Sequence, residues 1–173
     1  MNILAIDLGT QLGWALTKRD GSVHSGTESF APAQHGGHGG KFLAFMAHLN
    51  QLRITHGDVH AVYYEDIKMH KGVLAAHAYG GFLAILQAWC YANGRVPLYG
   101  VGFGAIKKTW TGRGNADKKL MIAHARQRGF APKDDNEADA LAILLLACQE
   151  EGRPFPPVGA GPIETPQPQA ALL

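Results

Sequence analysis

Met1-Asn-Ile-Leu-Ala-Ile-Asp7-Leu-Gly-Thr10, with the Gly13-Trp-Ala-Leu-Thr17 that follows it, decides how this chain is read. An apolar run of strand length ends in a carboxylate, turns at a glycine and resumes as a second apolar run, so Asp7 stands at the mouth of a hairpin. An ionised carboxylate is too costly to bury unpaired. An acid in that place therefore points to a site that gathers charge around a divalent cation. The same placement recurs along the chain. Glu65 closes Val62-Tyr-Tyr64, Asp139 sits among Ala138, Ala140, Leu141 and Ala142, and one of Asp134 to Asn136 makes a fourth oxygen donor.

Working outward, Asp20-Gly21 reads as a hairpin turn into a third strand over Val23 to Phe30. The stretch from Ala31 to Gly40, with Pro32, His35, His38 and paired glycines, has no periodicity and is expected to be a mobile loop. Phe42, Phe45, Met46, Leu49 and Leu52 repeat at three-to-four spacing and predict a helix from about Lys41. Val59 to Glu65 is the next strand. Gly72 to Asn93, rich in Ala, Leu and Ile, predicts a buried helix whose Gly80-Gly81 allows close approach of a neighbour. A short strand follows at Val96 to Val101, then a loop or turn of helix from Phe103, a helix over Asp117 to Arg128, and a last helix from about Asn136 to Glu150 with Ala138, Leu141, Ala142, Leu145 and Leu146 on its core face. Beyond Gly152 the composition turns to Pro, Gly, Gln and Ala. That reads as one folded unit over 1–150 and a flexible tail over 151–173.

Composition sets the outer limits. The 173 residues, 46% apolar and 17% charged, suit one globular domain with a sizeable core. A net charge of +2 is only mildly basic, so any nucleic-acid surface must come from local clusters of Lys and Arg. Cys90 and Cys148 lie in apolar helical stretches without metal-ligand spacing, which suits reduced core thiols. No basic targeting segment precedes the first strand, and no apolar run is read as reaching the ~20 residues of a membrane span. The expectation is a soluble cytoplasmic protein without membrane contact.

Strand, strand, strand, helix, strand, helix, strand, helix, helix resembles the order of the ribonuclease H-like fold, an α/β architecture in which α-helices flank a mixed β-sheet. Within it, Ile3 to Thr10, Tyr63-Tyr-Glu65 and Asp135-Asn-Glu-Ala-Asp139-Ala-Leu-Ala142 resemble the three acid-bearing segments of RuvC-like Holliday junction resolvases, the phage-type members in particular. The resemblance spans roughly 1–150. It implies a metal-dependent endonuclease in a bacterial or phage-infected cell that resolves four-way DNA junctions by paired symmetric nicks, acting as a homodimer. It also implies magnesium, with manganese as a substitute. Magnesium takes octahedral oxygen coordination and keeps several waters, and paired ions about 4 Å apart suit in-line displacement at phosphorus. Asp7, Glu65 and Asp139 are the implied ligands. This chain departs from the pattern at the fourth, because Asn136 stands three residues before Asp139. Asp135, four before, shares its helical face, but also suits a helix N-cap, with Asp134 and Glu137 behind.

The basic residues cluster in two places. Lys107, Lys108, Arg113, Lys118 and Lys119 surround Trp110 and a pair of glycines, an arrangement able to neutralise phosphates. By resemblance, Lys107 or Lys118 lies near the scissile phosphate and stabilises developing charge. Lys68, His70 and Lys71 follow Glu65 in a loop where resolvases contact the junction centre, with Met69 or His70 as a wedge. Other readings stay open: a nuclease for RNA–DNA hybrids or other branched DNA, or a silent DNA-binding module. A sugar-kinase or actin-like half also opens on Asp-x-Gly-Thr, but those folds need two related domains. His35 and His38 lack a third ligand for zinc, and Gly102-Phe-Gly104 lacks the lysine and serine of a phosphate loop.

Overall fold

The computed structural model describes residues 1–69 and 72–155. Its five strands are β1 (Ile3–Asp7), β2 (Gln11–Thr17), β3 (Val23–Ser29), β4 (Ala61–Glu65) and β5 (Leu98–Val101). They form one sheet in the order β3-β2-β1-β4-β5. β1 pairs antiparallel with β2 and parallel with β4, and β4 pairs parallel with β5, so the sheet is mixed as expected. Five helices cover it: α1 (His38–His56), α2 (Val73–Ala92), α3 (Phe103–Thr111), α4 (Lys118–Gln127) and α5 (Asp135–Glu150).

Side-chain alternation along the strands assigns each face. Ile3, Ala5, Ala15, Ala61, Tyr63 and Val101 point into one core with α3, α4 and α5. Leu4, Ile6, Leu12, Trp14, Leu16 and Val62 point into the other with α1 and α2. The first face is lined with small residues because α5 lies directly on β1 and β2. That helix is apolar nearly all round and correspondingly enclosed. Beyond the expected stripe, Ala140, Ile143, Leu144, Ala147 and Cys148 are buried too.

Several expectations are corrected. Residues 31–40 hold a 3₁₀ turn at Pro32–Gln34 and the start of α1 three residues early, and His35 is tied to the Ser29 carbonyl at 2.9 Å. α3 is a regular helix. α2 is buried on one side only, through Tyr79, Phe82, Leu86, Trp89 and Cys90, while Val73, Leu74 and Tyr91 are exposed. Its twenty residues also make it long and apolar enough, by length and composition, to cross a membrane, contrary to the sequence reading. Its packing on α1 and in the second core accounts for that apolarity. Of its glycine pair only Gly81 meets a neighbour: a Cβ there would fall 2.2 Å from the Phe42 ring, and at Gly80 it would meet nothing. The chain stays packed past residue 150. Arg153 donates to the Met1 and Lys18 carbonyls, and Phe155 stacks near Trp110 and Phe130. The remainder of the expected tail, 156–173, lies outside the described residues. Cys90 and Cys148 are free, buried, and pushed up to about 11 by burial.

On the face of the sheet opposite the Asp7 carboxylate, α1 carries a histidine seam. His56 stacks on His24 with ring centroids 4.4 Å apart, and His48 meets Trp14 edge-on at 5.9 Å. Burial lowers both His48 and His56 to about 4. Nε2 of His48 and Nε1 of Trp14 are buried without a hydrogen-bond partner among the described residues, a site with no place for an added charge. For a histidine whose folded value lies below its unfolded one of about 6.5, stability is whole above pH 6.5 and is lost as pH falls toward 4. Replacing His48 by Gln should therefore shift the balance toward the variant by about 2 kcal/mol between pH 7 and pH 4. Urea unfolding of both proteins across that range checks it, and a pH-independent difference would refute it.

Candidate active site

Two parallel strands deliver the first two acids. The register Ile6↔Tyr64 between β1 and β4 places Asp7 and Glu65 one step further on, at the last residue of each strand. Alternation turns both toward α5, since each shares parity with residues of that core, Ile3 and Ala5 in one strand and Ala61 and Tyr63 in the other. The end of β4 is pinned from the opposite side. Tyr79 of α2 donates to the Glu65 carbonyl at 2.8 Å and accepts from the Ile67 amide at 3.2 Å.

The N-terminal turn of α5 supplies the other acids. Asp7 pairs across the sheet with Gly13 of β2. A Cβ on Gly13 would fall 1.9 Å from the carbonyl oxygen of Asn136 and 2.4 Å from its carbon. The helix backbone therefore occupies the space a side chain would need, and Asp135 and Asp139 are brought beside Asp7. Burial pushes the Asp7 carboxyl well above the usual carboxylate range, and Asp139, Glu65 and Asp135 add to the rise, against Lys118. Asp139 is raised to about 6, chiefly by burial, with Lys107 and Lys118 opposing and Asp135 adding. Glu65 is raised by burial and by Asp139, with Lys107 opposing. The carboxylates of Asp7, Glu65 and Asp139 take no hydrogen bond or ion pair among the described residues.

The N-cap of α5 is Asp134, not Asp135: it accepts from the Glu137 amide at 3.0 Å and from the Thr27 hydroxyl at 2.6 Å. Glu137 is buried and holds the Ser25 hydroxyl and the Lys133 amide. Asp134 and Glu137 are thus occupied in building the helix start, and Asp135 is the acid that faces Asp7 and Asp139. It is ion-paired with Lys118, which lowers it. As arranged, no three His, Cys, Asp or Glu side chains among the described residues are disposed to hold one metal ion. The donor set nevertheless has the right chemistry for a hard cation, because three desolvated carboxylates without hydrogen-bond partners face each other. Side-chain rotation would have to close the gap.

The predicted cations divide into three groups. Lys107, on α3, donates to the Ala116 carbonyl and lies 4.1 Å from the centroid of the Phe103 ring, close enough to the acids to depress Glu65 and Asp139. Lys118 joins it through Asp135. Lys108, Arg113 and Lys119 are exposed around the α3–α4 connection and do not meet the acids. Lys68 is paired with Asp66, and His70 and Lys71 lie outside the described residues. Sequence reasoning missed Gly13, Tyr79 and the Asp117 N-cap of α4, which accepts from the Leu120 amide at 2.8 Å. Only the last had a local signal, an Asp opening a helical stretch.

No protein-family model and no curated protein matches the chain. Among solved structures it is similar to Thermus thermophilus RuvC in complex with a Holliday junction substrate, with a TM-score of 0.64 and 24% identity, covering 84% of this chain and 91% of that one. A second Thermus thermophilus RuvC structure matches with a TM-score of 0.61 and 24% identity, covering 88% and 97%. The yeast mitochondrial Holliday junction resolvase Ydc2 matches with a TM-score of 0.54 and 16% identity, covering 83% and 75%. The chain has the ribonuclease H-like fold of these proteins.

Proposed function

We propose that this chain, sharing the RuvC fold, is a divalent-metal-dependent endodeoxyribonuclease that resolves four-way DNA junctions by paired symmetric nicks. The observation that carries the reading is the convergence of Asp7, Glu65, Asp135 and Asp139, from three separate stretches of sequence, at one end of the sheet, where burial and the neighbouring carboxylates raise the proton affinity of Asp7, Glu65 and Asp139. A structural site would have paired Asp7, Glu65 and Asp139 with hydrogen-bond donors. Support for a branched DNA partner comes from the junction held by the similar RuvC.

In this reading Asp7, Glu65 and Asp139, with Asp135 as the fourth, hold magnesium or manganese. The ion would supply an activated water and charge stabilisation at the leaving oxygen. The chain's own residues do the rest. Tyr79 and Gly13 set the two walls of the site, and Lys107, held by a carbonyl and an aromatic ring, presents an ammonium to a phosphate oxygen. Lys118 neutralises Asp135 in the metal-free protein and faces the same opening. Lys108, Arg113 and Lys119 contact the DNA further out. The exposed apolar side of α2, with Val73, Leu74 and Tyr91, is the proposed homodimer face, which gives one site for each of two opposed strands.

The test is a labelled mobile four-way junction incubated with the protein at millimolar magnesium, beside an RNA–DNA hybrid, a flap and a linear duplex, with the mass in solution measured by light scattering. The expected result is symmetric nicks in the junction alone, dependent on metal, from a protein of twice 18.6 kDa. Junction left intact under both magnesium and manganese, or a preference for the hybrid, would refute it.

A further inference from the structure

A surface hollow of about 500 Å³ lies between the α3–α4 connection and the first turns of α4. Its lining combines polar side chains of mixed sign, Arg113, Asn115, Asp117 and Lys119, with the apolar Ala116, Leu120 and Ala123. The rim is fixed on both sides. The Thr111 hydroxyl donates to the Lys107 carbonyl at 2.9 Å and accepts from the Arg113 amide at 3.1 Å, which holds the connection. Asp117 caps α4 with Oδ1, leaving Oδ2 free as an acceptor.

The lining distinguishes between occupants. A site for phosphate alone would gain nothing from the Asp117 carboxylate or from Leu120 in its lining. A nucleobase has apolar faces and an edge of donors and acceptors, which this lining complements, and Lys119 remains for the adjoining phosphate. The hollow also abuts the proposed catalytic machinery. Ala116, in its wall, accepts the Lys107 ammonium, and Lys118, between Asp117 and Lys119 in sequence, is paired with Asp135 of the acid cluster.

We infer that this hollow receives one nucleobase beside the cut phosphate, turned out of the stack at the branch point, and selects where the strand is nicked. The inference rests on the nuclease reading above and extends it to sequence choice. Guanine is the base that matches best. An arginine reads its O6 and N7 acceptors, and a carboxylate accepts the N1 and N2 hydrogens that only an unpaired guanine exposes.

The experiment measures nicking rates on a set of junctions that differ only in the bases flanking the cut, for the wild type, Arg113→Ala, Asp117→Ser and Lys119→Ala. Serine keeps the helix cap while removing the carboxylate, and melting curves verify that each variant is folded. The readout is the ratio of rates between sequences within one protein, which overall activity does not move. The wild type should prefer guanine at one flanking position by roughly tenfold, the discrimination of one good bidentate pair. Arg113→Ala and Asp117→Ser should flatten that ratio, and Lys119→Ala should slow every sequence alike. A wild type that cuts all sequences equally, a preference that survives both substitutions, or a uniform fall in rate for all three variants, as a phosphate contact would give, overturns the inference. A wild type that cuts nothing fails the nuclease reading instead, and is told apart by that.

Discussion

Asp139→Asn and Asp7→Asn should each melt higher than the parent protein in metal-free buffer at pH 7.5 and yet lose nicking of four-way junctions by about 10³-fold or more. The two effects have one cause. Asp139 is raised to about 6 by burial and by neighbouring charge, and Asp7 is raised well above the usual carboxylate range by the same causes. An acid whose folded value exceeds its unfolded value near 4 binds its proton more tightly in the native state. Its ionisation therefore erodes stability as pH rises from about 4 through about 6, and at neutral pH the cost is fully present. Asparagine keeps the shape and removes the charge. For Asp139 the relief is about 1–2 kcal/mol once solvent screening is allowed for, or a rise of about 3–6 °C in a chain of this size. Loss of one carboxylate from a divalent-ion site forfeits several kcal/mol of transition-state stabilisation, which sets the scale of the kinetic effect. Scanning calorimetry from pH 4 to pH 8 supplies the sign. The advantage of Asp139→Asn should grow between pH 4 and pH 6.5 and that of Asp7→Asn should grow with rising pH, and both should shrink when millimolar magnesium is added, because the ion offsets the repulsion in the parent alone. Variants that melt lower than the parent at pH 7.5 would mean that these acids hold the fold together, and the metal reading would fail.

How far the residues alone disclosed this site depends on the range over which each signal acts. Asp7, Glu65 and Asp139 were legible because each breaks a local pattern: a carboxylate at the end of an apolar strand, or on an otherwise apolar helix, contradicts burial unless something outside the chain compensates. The strand and helix order was legible for the same reason, since periodicity is a property of neighbours. What resisted reading involved contacts made across the fold. Asp134 and Asp135 are adjacent acids at a helix start, and which one caps is decided by the Thr27 hydroxyl, 107 positions away. α2 is too apolar for its one-sided burial, so composition alone placed it deeper than it lies. Residues 31–40 looked structureless because glycine and proline signal turns, yet His35 closes onto Ser29 and starts α1 early. Tyr79 gave no signal, being one more aromatic residue in an apolar helix until its hydroxyl is seen holding the end of β4.

Gly13 is the residue whose replacement should be most damaging for its size, and Gly13→Ala is the test. Inside a strand a glycine is ordinarily a weakness that alanine repairs by about 0.5–1 kcal/mol. Here the added methyl would sit 1.9 Å from the Asn136 carbonyl oxygen, 2.4 Å from its carbon and 3.1 Å from the Glu137 amide nitrogen, all of them backbone atoms. No rotamer change relieves such an overlap. The first turn of α5 must lift from β2 by more than an ångström, and that turn carries Asp135 and the Asp134 cap, with Asp139 one turn beyond. Overpacking of this kind costs about 1–3 kcal/mol, so the variant should remain folded at 25 °C while melting several degrees lower. Its activity should suffer more, because about an ångström of misplacement among reacting groups is worth about 10²-fold. The matched control is Gly39→Ala in the first turn of α1, where the new methyl meets nothing and alanine is the better helix former. Circular dichroism melts and junction nicking measured on both proteins decide the matter. If Gly13→Ala nicks as fast as the parent, the start of α5 is not what positions the acids, and Asp135 and Asp139 lose their claim to a shared site with Asp7.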